Sequence, residues 1–492
     1  MHIAKASINK QGKAKLGNML IIAQFVISGL LMFMLIRLGV MPLKIVMYIA
    51  LILLLLLGLT LSGQLLGKHR KALRVTSCLI STVVSILFIA LSGYLWKSDA
   101  FIRELSNEAE ERYGISVLVM DENSAETLAD LKDASFAYVD NTQSTMLEEG
   151  VREIKSELGP LRTIHPENTV DLAEALYSGK CDAIIIEESR RPQIAETYED
   201  FDARTRTVWN HEMKQTVAAA ESGLDVTKDS FNIYLCGSDS RTSVEEVALN
   251  DLNMIVTVNP TTNQILLTSI PRDYYIELAS YGAKDKLTHA GIFGTEEAMK
   301  TVENFTGLKM DFYVKVSFAA LVYVVDAMGG IDVDSDTEFT AWTNPDVHIE
   351  KGINHMDGVT ALAYARERFA YEDGDIHRAQ NQAQVLREVA WKAMSPGILI
   401  HYDKLLDALA KGMKTNMSDE QIRNLIRMQL DKKAQWDICD FQMKGTNAMS
   451  KKCYSMWGKN LSIMNPDMDS VEEALGYIEE FMNGETAAVQ ND

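Results

Sequence analysis

The feature that most constrains this chain is a set of three apolar stretches in its first hundred residues, at roughly 18–36, 45–67 and 75–96. Each stretch holds about 20 residues, enough for a helix to cross a hydrocarbon core of ~30 Å. The first stretch alone could be a cleaved signal peptide, but the two that follow at once argue against cleavage. The sequence therefore predicts a region of three transmembrane helices over residues 1–97.

The distribution of charge predicts how these helices are oriented. Residues 1–98 contain 11 Lys and Arg and no Asp or Glu, and the basic residues concentrate before the first span and between the second and third. Loops rich in Lys and Arg stay cytoplasmic, so we expect the amino terminus inside and residues 98–492 outside the cell membrane. Residues 99–492 hold 37 basic and 68 acidic residues, a formal net charge of −31. Such an acidic body argues against nucleic-acid binding, which needs a basic surface.

Beyond the spans, short strand-like runs alternate with helical segments of about ten residues, a pattern typical of the α/β class. Over residues 98–225, runs such as Leu128–Leu131 and Cys181–Ile186 predict a small accessory α/β domain with a largely parallel sheet. We expect residues 211–229 to form a linker helix and loop.

A second α/β pattern begins at Phe231 and predicts a larger domain over residues 226–400. Its helices are expected at four places: 295–305, 317–328, 357–365 and 376–394. Residues 401–492 are predicted to form a helical C-terminal extension that ends in a compact tail.

The five cysteines carry one prediction. We predict a disulfide between Cys439 and Cys453, because the expected exterior is oxidising and the 13 residues between them can close such a loop. No Cys-x-x-Cys or His-x-x-x-His spacing suggests a zinc site.

Five polar clusters in the second α/β region lie at strand ends or helix starts, where ligands of α/β sheets bind. They are Gly237-Ser-Asp-Ser-Arg241, Asn250-Asp251, Ile270-Pro-Arg-Asp273, Tyr364-Ala-Arg-Glu-Arg368 and Gly374-Asp-Ile-His-Arg378, the last followed by Asn381 and Gln382. A helix capped by Asp375 would place Arg378 and Gln382 on one face. An extended backbone over 366–368 would point Arg366 and Arg368 to the same side.

These clusters suit a pyrophosphate and a divalent cation, because guanidinium groups match phosphate oxygens bidentately and carboxylates bind hard cations. The residues also have simpler interpretations. A single Arg near an Asp is usually a surface ion pair, and Asp239 and Asp251 taken alone are more typical of turn or cap residues than of metal ligands.

At these residues the chain resembles the catalytic domain of the LytR–CpsA–Psr family of wall-assembly proteins. The resemblance covers residues 230–396 and runs in order through Gly-Ser-Asp-Ser-Arg, Asp-Leu-Asn, Val-Asn-Pro, Ser-Ile-Pro-Arg-Asp, Asp-Lys-Leu-Thr-His-Ala, Met-Gly-Gly-Ile-Asp-Val, Ala-Tyr-Ala-Arg-Glu-Arg and Gly-Asp-x-x-Arg. Residues 100–210 resemble the accessory domain of the CpsA branch, chiefly through the segment 178–184. The three leading spans also fit that branch.

The resemblance implies a phosphotransferase that moves a glycopolymer phosphate from a polyprenyl-pyrophosphate carrier, whose lipid lies in an apolar tunnel, to peptidoglycan with the help of Mg²⁺. Motif by motif, it implies catalytic roles for Asp239, Arg272, Arg366, Arg368 and Arg378, substrate binding by Arg241, Asp273, Asp375 and Gln382, and metal binding by Asp239 and Asp251. Asp239 is also the candidate base for the acceptor hydroxyl.

The chain departs from the family pattern at two positions. Leu249 and Asn381 stand where many members have Arg, which removes positive charge from the expected pocket. Two other functions therefore stay open: a pyrophosphatase acting on lipid pyrophosphates, and a non-catalytic membrane sensor of wall or capsule synthesis. Neither the glycopolymer, whether capsule, teichoic acid or another polymer, nor the acceptor position can be read from the sequence.

Overall fold

The computed structural model describes residues 2–67, 70–106, 110–140, 144–217, 220, 223–238, 244–372, 374–394 and 402–485. The chain divides into two compact units. The first comprises Met1–Glu104 and Asp419–Ala434, and the second comprises Leu105–Ser418 and Gln435–Asp492.

The first unit consists of helices. They are α1 (His2–Leu38), α2 (Leu43–Leu66), α3 (Lys71–Ser106) and, much later in the chain, α14 (Asp419–Lys432). Stretches of α1, α2 and α3 are long and apolar enough to cross a membrane. Near the end of α3, the buried carboxylate of Asp99 accepts hydrogen bonds from Arg37 Nε at 3.0 Å and from Arg423 Nη2 at 2.8 Å. This charge cluster joins the ends of α1 and α3 to α14.

The second unit begins with a five-stranded sheet. Its elements are β1 (Glu110–Met120), β2 (Ser135–Ala137), α4 (Thr145–Leu158), β3 (Arg162–Ile164), α5 (Thr169–Tyr177), β4 (Ala183–Glu187), α6 (Arg191–Ala195), α7 (Phe201–Arg204) and β5 (Thr205–Thr216). The strand order is β3-β2-β4-β1-β5. β2 is parallel to β3 and β4, while β1 is antiparallel to β4 and β5, so the sheet is mixed rather than largely parallel.

Two local predictions for this region are wrong. Leu128–Leu131 is a 3₁₀ turn rather than a strand, because Thr127 and Asp130 form a capping box that closes it. The segment expected to form a linker helix and loop, 211–229, begins instead as strand: residues 211–216 belong to β5, which pairs with β1 from Glu110↔Thr216 to Met120↔Thr205.

The larger sheet carries the remaining elements. They are β6 (Phe231–Ser238), β7 (Asn250–Asn259), β8 (Gln264–Ser269), β9 (Tyr275–Glu277), β10 (Lys284–Lys286), α8 (Leu287–Ala290), α9 (Thr295–Thr306), β11 (Phe312–Ser317), α10 (Phe318–Ala327), β12 (Ile331–Ser335), β13 (Phe339–Thr340), β14 (His348–Ile349), β15 (Gly352–Met356), α11 (Gly358–Arg366), α12 (Asp375–Ala393), α13 (Tyr402–Gly412), β16 (Met413–Thr415), β17 (Asp437–Gln442), β18 (Gly445–Ser450), β19 (Leu461–Pro466) and α15 (Met468–Asn483). The four predicted helices of the 226–400 region are confirmed as α9 to α12.

Six of these strands form one sheet in the order β16-β11-β6-β7-β8-β17. β11 runs parallel to β6 and β17 parallel to β8, while the other neighbours are antiparallel. α9 and α15 cover one face, and α12 packs against the other. Both edge strands, β16 and β17, come from residues expected in a helical extension. The mixed α/β architecture of the prediction is confirmed.

The two sheets meet at a buried ion pair. Lys315 Nζ on β11 lies 3.3 Å from Glu111 Oε1 on β1, and both side chains are buried. The same carboxylate oxygen accepts hydrogen bonds from the backbone nitrogen and hydroxyl of Thr295, at 2.9 and 2.5 Å. Gly294, the residue before Thr295, has a φ of +105°, and a Cβ there would lie 2.8 Å from the Glu111 carboxylate. This position therefore requires glycine.

The predicted disulfide is wrong. All five cysteines belong to the described residues, and all are free thiols. Cys439 lies on β17 against the core between the large sheet and α15, whereas Cys453 is buried with Val170 of α5 in a separate cluster. A short spacing in sequence did not bring the two side chains together, because β17 and the hairpin of β18 and β19 pack against different partners.

Candidate active site

Four arginines from three segments of the chain line one cavity of about 130 Å³. The lining residues are Asp251, Arg272, Phe318, Trp342, Thr343, Arg366, Arg368, Arg378 and Gln382. The structure thus brings together six of the site residues predicted from the sequence. Their chemical roles remain predictions.

The sheet supplies one wall of this cavity. Asp251 is the second residue of β7, and Arg272 follows the last residue of β8, the antiparallel neighbour of β7. Both side chains therefore start from the same end of these two strands. The Arg272 guanidinium forms a salt bridge with the Asp251 carboxylate.

Helices supply the other wall. Arg366 is the last residue of α11, and Arg378 and Gln382 lie one turn apart on α12, as the i, i+4 spacing predicts. The residue before α12 is Gly374, with φ +53°, a backbone conformation that favours glycine. The helix begins at Asp375, so Gly374, and not Asp375 as predicted, occupies the capping position.

The charge balance of the cavity favours an anion. Among its described lining residues, four guanidinium groups face one carboxylate. Burial pushes the pKa of Asp251 upward, but the charges of Arg272, Arg378 and Arg366 outweigh that effect and hold the pKa below its usual range. Asp251 is therefore ionised at neutral pH, and the described residues that line the cavity carry a net positive charge.

Asp273 lines a narrower adjoining pocket together with Asp251, Arg272, Arg378 and Gln382. Its carboxylate lies 2.6 Å from Lys286 Nζ. Burial raises the pKa of Asp273, but the positive charges of Lys286 and Arg272 lower it by more than burial raises it, so the pKa lies below its usual range. Asp273 therefore holds the Lys286 ammonium group beside the arginine cavity, which Asp273 itself does not line.

Glu367 is a site residue that the sequence analysis missed. Its carboxylate is 1% exposed and accepts hydrogen bonds from the backbone nitrogens of Arg368, Phe369 and Ala370, and from that of Trp342 at 2.7 Å. This buried anion holds the loop after α11 in place and ties it to the segment that follows β13. The only signal in the sequence is an acidic residue between two arginines.

The two departures from the family pattern are both buried. Leu249 is 8% exposed, as a core side chain would be. Asn381 is 1% exposed, and its amide nitrogen donates to the Tyr364 carbonyl and the Tyr371 hydroxyl, both at 3.1 Å. Neither residue lines the cavity. Because Asn381 donates to the Tyr364 carbonyl, it braces the last turn of α11, which ends at Arg366.

Two predicted residues, Asp239 and Arg241, lie outside the residues that the structure describes. They follow β6, whose last residue, Ser238, pairs with Asn250. For Asp375 the structure gives the backbone as the first residue of α12. The assignment of these three residues to the site therefore rests on the sequence resemblance.

Several guanidinium groups around one cavity at the end of a sheet are typical of the class of proteins that bind phosphorylated anions. The comparisons with known proteins specify that class. The profile of the LytR_cpsA_psr family matches residues 195–470, more than half of the chain. The chain belongs to the LytR–CpsA–Psr family.

Particular relatives share the same region. A "polyisoprenyl-teichoic acid–peptidoglycan teichoic acid transferase TagU" from Bacillus mycoides (strain KBAB4) is 38% identical over 206 residues, which are 41% of this chain and 66% of the relative. A protein of the same name from Enterococcus faecalis (strain ATCC 700802 / V583) is 32% identical over 200 residues, or 40% of this chain and 65% of the relative. The match thus spans just under two thirds of each relative.

Among solved structures, B. subtilis TagT has 25% sequence identity and a TM-score of 0.43. The comparison covers 54% of this chain and 95% of TagT.

Proposed function

We propose that this chain is a glycopolymer phosphotransferase that uses a polyprenyl-pyrophosphate-linked donor and peptidoglycan as the acceptor. The observation that carries the proposal is the convergence of Arg272, Arg366, Arg368 and Arg378 on one cavity. A pyrophosphate diester carries about two negative charges, which planar guanidinium groups match bidentately. The names of the relatives, which describe transfer of teichoic acid from a polyisoprenyl carrier to peptidoglycan, support the same reaction.

The proposed reaction is a phosphoryl transfer. A hydroxyl of the acceptor sugar attacks the phosphorus next to the glycan, and the bond from that phosphorus to the bridging oxygen breaks. The polyprenyl phosphate leaves with the bridging oxygen, and the hydroxyl proton passes to a carboxylate, for which Asp239 is the candidate. Such transfers depend on positioning and on stabilising charge, and the four arginines supply both.

The lipid tail needs an apolar path that starts at the cavity. Gln382 lines the cavity, and the next turns of α12 present Leu386 and Ala390 to the sheet. The sheet side chains facing them include Val314 and Val316, which are only partly buried. We propose that the tail lies along α12, between this helix and the sheet.

Magnesium and orientation are further parts of the proposal. The Asp251 carboxylate lines the cavity in its ionised form and is the kind of hard oxygen ligand that Mg²⁺ takes, so it fits as one ligand, with Asp239 as the second. The bound ion would supply additional positive charge to the donor phosphates.

The three apolar helices would anchor the chain with residues 98–492 outside the cell. Protease added to intact, wall-stripped cells should then remove this body, and full protection would contradict the orientation.

The decisive experiment measures transfer of a radiolabelled glycan from its lipid carrier to peptidoglycan by the full chain in detergent. Arg366→Ala and Arg368→Ala should each lower the rate by ~30–1000-fold, because each removes a charge-assisted contact worth roughly 2–4 kcal/mol in the transition state. Arg366→Lys and Arg368→Lys should recover little, since a point charge does not reproduce the planar fork.

Arg152→Ala is the matched control, because the Arg152 side chain is 75% exposed and lies on α4, away from the cavity. Near-normal transfer by the alanine variants would contradict the proposal and leave a non-catalytic sensor in its place. Release of glycan phosphate without any transfer to peptidoglycan would identify a lipid pyrophosphatase instead.

A further inference from the structure

Two large aromatic side chains lie in contact with each other at the mouth of the arginine cavity. Trp342 is one of the cavity's lining residues and is 63% exposed, and Phe369 is 57% exposed. Their ring centroids are 4.7 Å apart, with an angle of 51° between the planes. Exposed apolar surface beside a polar cavity is typical of a ligand-binding groove.

The backbone beneath both rings is held by one buried group. Glu367 Oε2 accepts the Trp342 backbone N–H at 2.7 Å, and Glu367 Oε1 accepts the Phe369 backbone N–H at 2.7 Å. Rings attached to a rigid support lose less conformational freedom on binding a ligand than rings on a free loop. The pair is therefore a preorganised surface.

The ring pair is continuous with the anion site. The Arg368 guanidinium, which lines the cavity, lies 4.6 Å from the centroid of the Phe369 ring. A ligand group on these rings therefore lies next to whatever anion the arginines hold. In the proposed donor, the group bonded to the outer phosphate is a sugar.

We propose that Trp342 and Phe369 bind the first sugar of the donor, the pyranose attached directly to the pyrophosphate. This inference rests on the proposed function. A pyranose presents C–H groups on its faces and hydroxyls around its rim, so it can stack on the negative face of an aromatic ring while its hydroxyls stay in water. The arginines recognise the phosphates, which every such donor shares, and the rings recognise the sugar.

The test compares two ligands on the full chain in detergent by calorimetry. One is polyprenyl pyrophosphate, and the other is the same carrier bearing a single N-acetylhexosamine. The wild type should bind the sugar-bearing carrier more tightly. Trp342→Ala and Phe369→Ala should each reduce the preference for the sugar-bearing carrier by about 10-fold, or ~1.4 kcal/mol, so that the bare carrier loses much less affinity than the sugar-bearing one. Trp342→Tyr should keep most of the preference, because it retains an aromatic face.

Trp457→Ala is the matched control: Trp457 is 51% exposed and is absent from the lining of the cavity. The inference is overturned if the alanine variants keep the sugar preference, if they lose affinity for both carriers equally, or if only the apparent KM for peptidoglycan rises. The last result would assign the rings to the acceptor. If the wild type binds neither carrier, both the proposed function and the inference are contradicted. Each of the other outcomes contradicts the inference alone and leaves the proposed function intact.

Discussion

Two regions of the second unit bury charged side chains, and they do so in opposite ways. At the contact between the two sheets, one carboxylate, Glu111, meets one ammonium group, Lys315, and Thr295 completes the hydrogen bonds. Among the described residues that line the cavity at the end of β8, four are arginines and one, Asp251, carries a carboxylate. A balanced pair is complete without a ligand, whereas an excess of one sign is useful only if an ion of the opposite sign arrives. Charge balance therefore separates a structural contact from a binding site.

The largest effect is expected at the balanced pair. Lys315→Met should lower the free energy of unfolding by about 3–5 kcal/mol, because it leaves the Glu111 carboxylate buried without its partner. Glu111→Leu combined with Lys315→Met should recover most of that loss, since no charge is then stranded. Thermal and urea unfolding of the detergent-solubilised chain measures both variants. A double variant as unstable as Lys315→Met would mean that the contact depends on the charges themselves.

At the cavity, the corresponding change should behave differently. Asp251→Asn removes the carboxylate that lines the cavity among the described residues and increases repulsion among the arginines, at a cost of about 1–3 kcal/mol to the unliganded protein. Inorganic pyrophosphate should raise the melting temperature of this variant more than that of the wild type, because the anion takes over the missing negative charge. Equal shifts in the two proteins would contradict an electrostatic anion site.

The same contrast shows what a sequence of this kind reveals. The positions of Arg378 and Gln382 on one face of α12 follow from helix periodicity, so local pattern was enough to predict them. Glu111 and Lys315 are separated by 204 positions in the chain, and only tertiary pairing makes them neighbours. No local signal in the sequence distinguishes these two charges from others on the surface.

Edge strands and supporting residues escaped prediction for a related reason. β17 was placed in a tail because six residues carry little pattern of their own, and its parallel pairing with β8 supplies the missing stabilisation. Glu367 carries no sequence signal beyond its place between two arginines, although its carboxylate is buried and accepts hydrogen bonds from four backbone N–H groups. The charged residues that line the cavity could be predicted from the sequence, and the residues that hold them in place could not.

Acid should weaken the balanced pair in a defined range. Burial raises the pKa of Glu111, but Lys315 and the hydrogen bonds from Thr295 outweigh burial and leave the pKa below its usual value. A carboxyl whose pKa is lower in the folded state stabilises the protein above its unfolded pKa of about 4.3, and this contribution disappears as the pH falls through the folded value. As the pH falls from about 5 to about 3, the free energy of unfolding of the wild type should therefore decrease relative to that of the Glu111→Leu/Lys315→Met variant. A difference that stays constant over that range would contradict the ionised pair.

The smallest effect should come from salt, which should weaken anion binding at the arginine cavity and leave the pair of Glu111 and Lys315 nearly unchanged. Raising NaCl from about 0.1 to about 1 M shortens the screening length from ~10 to ~3 Å, which weakens attraction between an incoming anion and charges that line an open cavity. The affinity for inorganic pyrophosphate, measured by calorimetry, should fall several-fold and should depend less steeply on salt in Arg368→Ala, which has one fewer cation. Lys315 and Glu111 are both buried and already in contact, so counterions cannot come between them. The stability lost on Lys315→Met should consequently be nearly the same at both salt concentrations. If salt reduced that loss as strongly as it reduced pyrophosphate binding, the two regions would share one electrostatic environment, and charge balance would no longer distinguish them.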